Sequence, residues 1–363
     1  MELADLLRAM VEHKASDLFL KTGAKPSVRI DGKVRYLNLE PASEEFTRRS
    51  LNTVADEAGR QKFMAEGELD LAYEATGIGR FRVNVYRQRG LTSFAFRYVE
   101  SVIPSFEELN LPADALRNLA TKPRGLVLAT GVAGSGKSTA LAAMIEHINQ
   151  TQPKHIITIE DPIEFIYADK KSVIDQREIG LDTKDFASAL KHCMRQSPDV
   201  VLLGEMRDQE TMEAALSAAE TGHLVLSTLH TVNASQTVER IINFFPPHQH
   251  GLIRLQLSMV LEGVISLRLM PRLDGPGRVP AVELMTSSPT VKELLEAGRS
   301  RELYGAIKAG GYFGMQTFNQ SLRRLHDAGV ISLDEAMSAS DSPDELRLEI
   351  SGVTRGTKGV SPR

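Results

Sequence analysis

Between residues 131 and 139 the chain reads Gly131-Val132-Ala133-Gly134-Ser135-Gly136-Lys137-Ser138-Thr139, which fits the phosphate-binding pattern G-x-x-x-x-G-K-S/T. The apolar run from Gly125 to Thr130 before it predicts a buried strand. The segment after it predicts an amphipathic helix whose apolar face carries Leu141, Met144, Ile145 and Ile148. A phosphate-binding loop needs a strand before it and a helix after it, so the motif lies in the context in which it functions.

The residue types of this loop suit a nucleotide phosphate. Glycines let backbone N–H groups converge on phosphate oxygens without a Cβ in the way, and the next helix adds its positive N-terminal end. Lys137 is predicted to reach the β- and γ-phosphates, and the hydroxyl of Ser138, with Thr139 beside it, to hold Mg²⁺. The remaining phosphate contacts are expected from Gly131, Gly134, Ser135 and Gly136.

The composition is that of an ordinary soluble globular protein. The chain has 363 residues, of which 42% are hydrophobic and 25% charged, and this length predicts about two or three domains. A net charge of −4 argues against wholesale nucleic-acid binding. No apolar run approaches the roughly 20 residues that span a bilayer, and the acidic start Met1–Asp5 is unlike a signal peptide. We therefore predict a cytoplasmic protein with no direct membrane insertion.

The single cysteine limits the redox and metal chemistry of the chain. Cys193 alone excludes an intramolecular disulfide and a multi-cysteine zinc site. It lies in an apparent helix from Phe186 to Arg195, beside Met194, so we expect a buried structural thiol rather than a reactive one.

Residues 1–100 are predicted to form a small α+β domain. One helical face is expected over residues 3–11, a short strand over 17–20, and a two-residue hairpin at Asp31-Gly32. Two further strands, at 80–85 and 94–98, alternate apolar and polar residues and are therefore half-buried. Their outward faces carry Arg80, Arg82 and Arg97.

After a predicted linker, 101–112, which contains two prolines, residues 113–363 are predicted to form an α/β domain. Continuous apolar runs indicate strands buried on both faces, as in a parallel sheet. These runs lie at 125–130, 155–160, 199–204 and 222–230. The stretch 284–350 is predicted to be helical, with Leu294, Leu295, Leu322, Leu325 and Ile331 in its core, and the last dozen residues to be frayed.

Acidic residues follow two of these predicted strands. Glu160-Asp161-Pro162-Ile163-Glu164 comes after the second strand and Gly204-Glu205-Met206-Arg207-Asp208 after the third. Open α/β sheets bind ligands at the carboxyl ends of their strands. There one carboxylate can hold the water shell of a magnesium ion, and another can orient or deprotonate an attacking water. Asp161 and Asp208 also fit simple helix N-caps, whereas Glu205 favours the functional interpretation.

Two histidines, His223 and His230, bracket the run 222–230. Residues seven apart on one strand point to opposite faces, so a shared metal ion is not expected. We predict that they sense the phosphate end of the site or bond to the acidic loops. For His223 the alternative of a core histidine with a satisfied hydrogen bond has equal weight.

Together these blocks resemble the secretion-type hexameric ATPases and, within them, the type IV pilus retraction (twitching motility) ATPases, the PilT/PilU family. The resemblance covers nearly the whole chain, and the motifs occur in the order of the family. Besides the loop at 131–139 they are GRFRVN (79–84), IEDPIEF (159–165), QREIG (176–180), LLGEMRD (202–208), AAETGHLVLSTLHT (218–231) and GMQTFNQSL (314–322).

The resemblance assigns roles to particular residues of this chain. Glu164 matches the catalytic glutamate of the family, and Glu205 its Walker B acid, which would hold Mg²⁺ with Ser138, partly through water. His223 and His230 match the histidine box. Arginines that approach the nucleotide, some from a neighbouring subunit, are matched by Arg82, Arg97 and Arg240, with Arg80 as a weaker candidate. Surface salt bridging is the alternative for these arginines.

The resemblance also implies an assembly. It implies a homo-hexamer in which each chain has an N-terminal PAS-like domain and a RecA-like core, with ATP and Mg²⁺ as cofactors. Hydrolysis would move one domain on the other about the linker 101–112. The partner would be an inner-membrane pilus platform protein (PilC-like), with PilT as a further partner, at the cytoplasmic base of the pilus machine.

Several features favour the retraction branch and, within it, the PilU type. Assembly and type II secretion ATPases of the family usually carry a four-cysteine zinc insertion, which this sequence lacks. The start of the chain and its segments ERIINFFPPHQHG and DSPDELRLEI resemble PilU, whereas the block GEMRD resembles PilT. The helix characteristic of PilT is replaced by Thr290–Leu295. The alternatives are a related secretion or conjugation ATPase, or a nucleotide-gated assembly partner with little hydrolysis of its own. A nucleic-acid motor is disfavoured by the acidic net charge.

Overall fold

A computed structural model describes residues 2–30 and 32–351. The chain divides into two compact units. The first runs up to Val102 and includes the short segment Glu164–Ile166; the second comprises Ile103–Ile163 and the chain from Tyr167 onward. Among the described residues, no helix has the length and apolar character that crossing a bilayer requires.

The first unit contains a six-stranded sheet in the order β3-β2-β1-β6-β5-β4, in which all neighbouring strands are antiparallel. Its elements are α1 (Leu3–Glu12), β1 (Asp17–Lys21), β2 (Ser27–Ile30), β3 (Lys33–Tyr36), α2 (Glu44–Val54), α3 (Glu57–Glu66), β4 (Glu68–Ala75), β5 (Gly79–Gln88) and β6 (Leu91–Tyr98).

Alternating apolar residues make one face of this sheet a core. Phe81, Val83 and Val85 of β5 are fully buried while their neighbours reach solvent, as the alternation predicts. The predicted hairpin is present, because Ile30 pairs with Lys33; its turn residue at position 31 lies outside the described residues. The helices α2 and α3 and the strand β4 were not predicted from the sequence.

The second unit contains a seven-stranded sheet in the order β13-β12-β7-β11-β10-β8-β9. Its strands are β7 (Gly125–Thr130), β8 (His155–Glu160), β9 (Val173–Glu178), β10 (Val200–Leu203), β11 (Leu224–Leu229), β12 (Leu261–Pro271) and β13 (Arg278–Thr286). Its helices are α4 (Ala113–Ala120), α5 (Lys137–Thr151), α6 (Phe186–Cys193), α7 (Gln209–Glu220), α8 (Ala234–Ile242), α9 (His250–Val260), α10 (Pro289–Glu296), α11 (Leu303–Ala309), α12 (Phe318–Asp327), α13 (Leu333–Ala339) and α14 (Pro343–Ile350).

The predicted α/β class with a parallel sheet is confirmed. All four strands expected from apolar runs are present, and they pair in parallel through β7-β11-β10-β8. The strands β9, β12 and β13 were not predicted, and β13, antiparallel to β12, takes up the start of the stretch expected to be helical. The expected frayed C-terminus, residues 352–363, lies outside the described residues.

Two local predictions change in the structure. The helix α5 is buried nearly all round rather than amphipathic, since Ala140, Ala142 and Ala143 are buried as well as the predicted apolar face. Of the predicted linker 101–112, the part from Ile103 onward belongs to the second unit, because Phe106 and Leu111 are buried in its core. The thiol prediction is confirmed: burial raises the pKa of Cys193 to about 11.

A buried acid lies on β13. The side chain of Glu283 is 3% exposed, and its Oε1 accepts a hydrogen bond of 2.8 Å from the backbone N–H of Ala234. Burial and the charge of Asp341 raise the pKa of the Glu283 carboxyl to about 7, against the opposing effects of the Ala234 bond and of Arg268.

This raised pKa predicts a pH-dependent stability. Folding takes up a proton between the ordinary pKa of 4.5 and the folded value of about 7, so the stability from this group is lost as the pH rises through that window. The shift corresponds to roughly 3 kcal/mol. Glu283→Gln keeps an oxygen acceptor for Ala234 and removes the titration. We expect the variant to have a higher melting temperature than the wild type at about pH 8, and nearly the same melting temperature at about pH 5. Circular dichroism measures both. A difference in melting temperature that is the same at both pH values would contradict this.

Candidate functional site

The loop between β7 and α5 has the backbone of a phosphate cradle. Gly131, Gly134 and Gly136 have φ values of +143°, +73° and +96°, which side chains rarely tolerate. A Cβ on Gly131 would lie 2.4 Å from the Oγ of Ser135 and 2.6 Å from the carbonyl oxygen of Leu267. The close approach of Ser135 and of β12 to Gly131 therefore requires glycine at this position.

Lys137 begins α5 and is only 8% exposed. Its Nζ donates hydrogen bonds to the carbonyl oxygens of Gly131 at 2.9 Å and Val132 at 3.0 Å. Burial lowers the pKa of Lys137, and the negative charge of Glu205 opposes this effect. The ammonium group thus lies inside the loop, where phosphate oxygens could replace the two carbonyls as acceptors.

The hydroxyls of the loop differ in their surroundings. Ser135 is 2% exposed, and its Oγ has no hydrogen-bond partner within the described part of the chain. A buried hydroxyl without a partner is costly, so this donor fits a phosphate oxygen. Ser138 is exposed and Thr139 half-buried.

Glu205 lies at the carboxyl edge of the parallel sheet, two residues after β10 ends at Leu203. The N–H of Gly204 bonds to the carbonyl of Ile159 at 2.8 Å, and the Thr228 hydroxyl bonds to the carbonyl of Gly204 at 2.7 Å. These contacts with β8 and β11 hold the backbone before Glu205 in place. The Glu205 side chain is 13% exposed, which suits a carboxylate that serves a bound cation.

The structure brings three predicted site residues together. The Nε2 of His230 lies 3.6 Å from the Oε2 of Glu205, and Glu205 is near enough to Lys137 to shift its pKa. Arg207 forms an ion pair with Glu205 as well. The motif at 202–208 contains this arginine, but sequence reasoning gave it no role.

His223 is placed elsewhere. It precedes β11, and its carbonyl accepts from the N–H of Gly125 at the start of β7, so it lies at the amino edge of the sheet. The six-residue strand puts about 20 Å between this edge and the phosphate loop. Its Nδ1 lies 3.0 Å from the carbonyl oxygen of Ala218 at the end of α7. Within one chain, the structure supports the interpretation of a satisfied structural histidine.

Glu164 and Arg82 lie together in the first unit, where Arg82 Nη1 is 3.5 Å from Glu164 Oε1. Arg82 also stands directly opposite Arg97 in the pairing of β5 with β6. Arg97 is held by the buried Asp17, whose Oδ1 accepts from its Nε at 2.9 Å. Salt bridging, left open by the sequence, is therefore what the structure shows for Arg82 and Arg97. Arg80 also has an interaction partner in the structure.

The other candidates divide between exposed and structural positions. The guanidinium of Arg240 lies 4.8 Å from the centroid of the Phe244 ring on the exposed side of α8. Asp208 is the N-cap of α7 and accepts from the N–H of Thr211 at 2.8 Å, as its alternative interpretation predicted. Asp161 is exposed.

A cavity of about 210 Å³ opens beside the phosphate loop. Ser135, Gly136 and Thr139 form one side of it. The other walls include Leu109, Leu267, Leu269, Arg272, Arg278 and Pro280. The leucines and the proline of these walls, next to a phosphate cradle, suit a flat aromatic ring. Sequence reasoning missed this cavity, because its walls come from three separate segments of the second unit.

Comparison with known proteins places the chain in a family. Residues 3–298 match the family described as Type II/IV secretion system protein. The chain is 44% identical to the type IV pilus ATPase PilU of Pseudomonas aeruginosa over 350 residues, 96% of this chain and 91% of PilU. It is 40% identical to the pilus retraction ATPase PilT of the same organism over 346 residues, 95% of this chain and 100% of PilT.

The structural comparison agrees. A crystal structure of the pilus retraction motor PilT with bound ADP matches with a TM-score of 0.89 and 43% identity, covering 96% of this chain and 99% of that one. The ATPase DotB of Legionella pneumophila matches with a TM-score of 0.76 and 26% identity over 97% of this chain and 94% of DotB. The chain belongs to the Type II/IV secretion system protein family, with a RecA-like ATPase fold. The predicted resemblance to the pilus retraction ATPases and the predicted enzyme class are confirmed.

The different positions of the two histidines lead to a first test of the site. We expect His230→Ala to lower ATP turnover at least about tenfold, because it removes the imidazole that lies 3.6 Å from the Glu205 carboxylate. His223→Ala should change turnover by no more than about twofold, since it lies at the other edge of the sheet. Steady-state phosphate release by the purified variants measures both. Equal losses in the two variants would show that the position of the histidine along β11 does not matter.

Proposed function

We propose that this protein is an ATP-hydrolysing motor that drives type IV pilus retraction, acting as a PilU-like accessory to PilT. The observation that supports it most is the convergence of Lys137, Glu205 and His230 at the glycine-rich loop. The similarity to PilU over nearly the whole of both chains supports the biological role. We further propose a homo-hexamer that works in the cytoplasm against a platform protein at the inner-membrane base of the pilus.

The residues present fit a nucleotide with its magnesium ion. Among the described residues, no group of three His, Cys, Asp or Glu side chains forms a metal site of its own. Mg²⁺ that is bound together with a nucleotide usually takes most of its ligands from phosphates and water. Ser138 and Glu205 would hold it, Glu205 partly through water. When bound, Mg²⁺ neutralises the charge that develops on the β- and γ-phosphates.

The chain's own residues supply the rest of the chemistry. Lys137 exchanges its two carbonyl acceptors for phosphate oxygens, and Ser135 gains a partner for its buried hydroxyl. His230 remains next to Glu205 and responds to whether that carboxylate contacts the bound nucleotide and its metal ion. Glu164 and Arg82, paired in the first unit, are the groups that the resemblance assigns to the attacking water and to the transferred phosphate. The arginine is released for that role only when its ion pair opens.

Purified protein tests the hydrolytic function directly. We expect Lys137→Ala to lose both nucleotide binding and turnover, because the buried ammonium is the principal positive charge of the loop. Glu205→Gln should keep nucleotide binding and lower turnover about a hundredfold or more, since the Glu205 carboxylate stabilises the transition state rather than the bound nucleotide. The control is Glu210→Ala, an exposed acid in the first turn of α7. Wild-type turnover in the Lys137 and Glu205 variants would exclude this site.

The cavity beside the phosphate loop allows a separate test of where the aromatic base of the nucleotide binds. We expect Leu269→Ser to weaken ADP binding about three- to tenfold, since it replaces an apolar wall by a polar one. Binding of inorganic tripolyphosphate, which has no base, should not change. Leu273→Ser is the matched control, because Leu273 lies on the same hairpin and is 66% exposed. Equal weakening of both ligands would place the base elsewhere. Displacement of a fluorescent nucleotide measures each affinity.

A further inference from the structure

The motif GMQTFNQSL at 314–322 contributes none of the residues named at the nucleotide site. In the structure it begins α12, and its Asn319 is 3% exposed. Asn319 Nδ2 donates to the carbonyl of Ser342 at 3.2 Å, and its Oδ1 accepts from the Ser340 hydroxyl at 2.6 Å. The amide thus holds residues 339–342, the last residue of α13 and the turn that leads to α14, which we call the latch turn.

Arg268 of β12 is the second support of the latch turn. Its Nη2 donates to both carboxylate oxygens of Asp341, at 2.7 and 2.9 Å, and its Nη1 bonds to the carbonyl of Ala339. Its guanidinium carbon lies 3.8 Å from the centroid of the Phe318 ring, which belongs to the same motif. A cation–π contact and an ion pair with a carboxylate together fix the orientation of an arginine better than either does alone.

The same guanidinium reaches the chain that follows β11. Arg268 Nη2 donates to the carbonyl of Val232 at 3.4 Å. Val232 is two residues after His230, in the segment 230–233, which we call the His230 loop. Glu283 of β13, which pairs with Ser266 of β12, accepts from the N–H of Ala234, the first residue of α8 after that loop.

The other supports of the His230 loop are local. The hydroxyls of Thr231 and Thr237 lie 2.7 Å apart, and the Asn233 side chain caps α8 by accepting from the N–H of Gln236 at 2.9 Å. These bonds fix the loop to its own helix. Arg268, by contrast, bonds to the loop and to the latch turn through one rigid group.

We propose that Arg268 is a positioning residue for ATP hydrolysis, which sets the place of His230 against Glu205 according to the latch turn. The proposal rests on the proposed function, because His230 acts in it through Glu205. It gives the motif at 314–322 a role: Phe318 and Asn319 hold the latch turn so that Arg268 can reach the His230 loop. The C-terminal helices α13 and α14 thereby act on the nucleotide site through Arg268.

A double-mutant cycle in the full-length protein tests whether Arg268 acts through His230. We expect Arg268→Ala to lower kcat about tenfold while KM for ATP stays within about twofold, because binding by the phosphate loop is not affected. In a His230→Gln background the same substitution should lower kcat by less than about twofold. Asp341→Asn should give a smaller loss, about threefold, since Ala339 and Phe318 remain as partners. Arg323→Ala, an exposed arginine of α12, is the control and should change nothing.

Each failure has its own signature. Equal fold losses of kcat in the wild-type and His230→Gln backgrounds would show that Arg268 is only structural, and would overturn the proposal. If Arg268→Ala does not fold, by circular dichroism, the cycle is run with Asp341→Asn. If His230→Gln turns over too slowly to measure, hydrogen exchange of the amides 230–236 decides: faster exchange in the Asp341 variant but not in the Arg323 variant supports the proposal, and unchanged exchange overturns it. Wild-type turnover in Lys137→Ala would instead reject the proposed function.

Discussion

The ammonium group of Lys137 is buried at the carboxyl edge of a parallel sheet, and a buried charge costs free energy unless it is paired and hydrogen-bonded. Two loop carbonyls accept its hydrogen bonds, and the charge of Glu205 offsets part of the cost of burial. The need for hydrogen bonds and the need for a charge partner both constrain the structure around Lys137. The carbonyls can turn inward only because glycines take φ values that other residues avoid, and Glu205 comes near only because β10 and β7 are separated by a single strand.

The same constraint explains why the site is made of strand ends. β7, β10 and β11 run in parallel, so the loop at 131–139, Glu205 and His230 meet at one edge of the sheet. The oxygens of a bound phosphate would replace the two carbonyl partners of Lys137 without any movement of the strands. The supports further out, Arg268 and the latch turn, then act on the edge that matters for the chemistry. In this respect the C-terminal helices are part of the site rather than a separate appendage.

Much of the second unit could be predicted from the sequence, because its strands are continuous apolar runs and its loop carries a specific pattern. The strands β12 and β13 were missed, since Arg268 and Glu283 interrupt their apolar runs and hide their period. In the first unit, α2 and α3 were missed although both have side-chain N-caps, Ser43 and Asp56, that a closer search for capping residues could have found.

The site divides in the same way. Residues that follow directly on predicted strands, such as Glu205 and His230, were placed correctly by position along the chain. Contacts between residues that are far apart along the chain could not be predicted from their positions: Arg97 and its partner Asp17 are 80 residues apart. His223 shows the opposite limit, because a residue next to a predicted strand lies at the wrong edge when it precedes that strand. His223 and His230 lie at opposite edges of the sheet because one precedes β11 and the other follows it.

Whether the protein drives retraction is tested most directly in cells, by counting surface pili and measuring twitching motility in a strain whose only change is Glu205→Gln in this gene. A retraction motor predicts more surface pili and weakened movement, and partial weakening would agree with an accessory to PilT. Cells without pili would contradict it, because they would show that the protein extends pili.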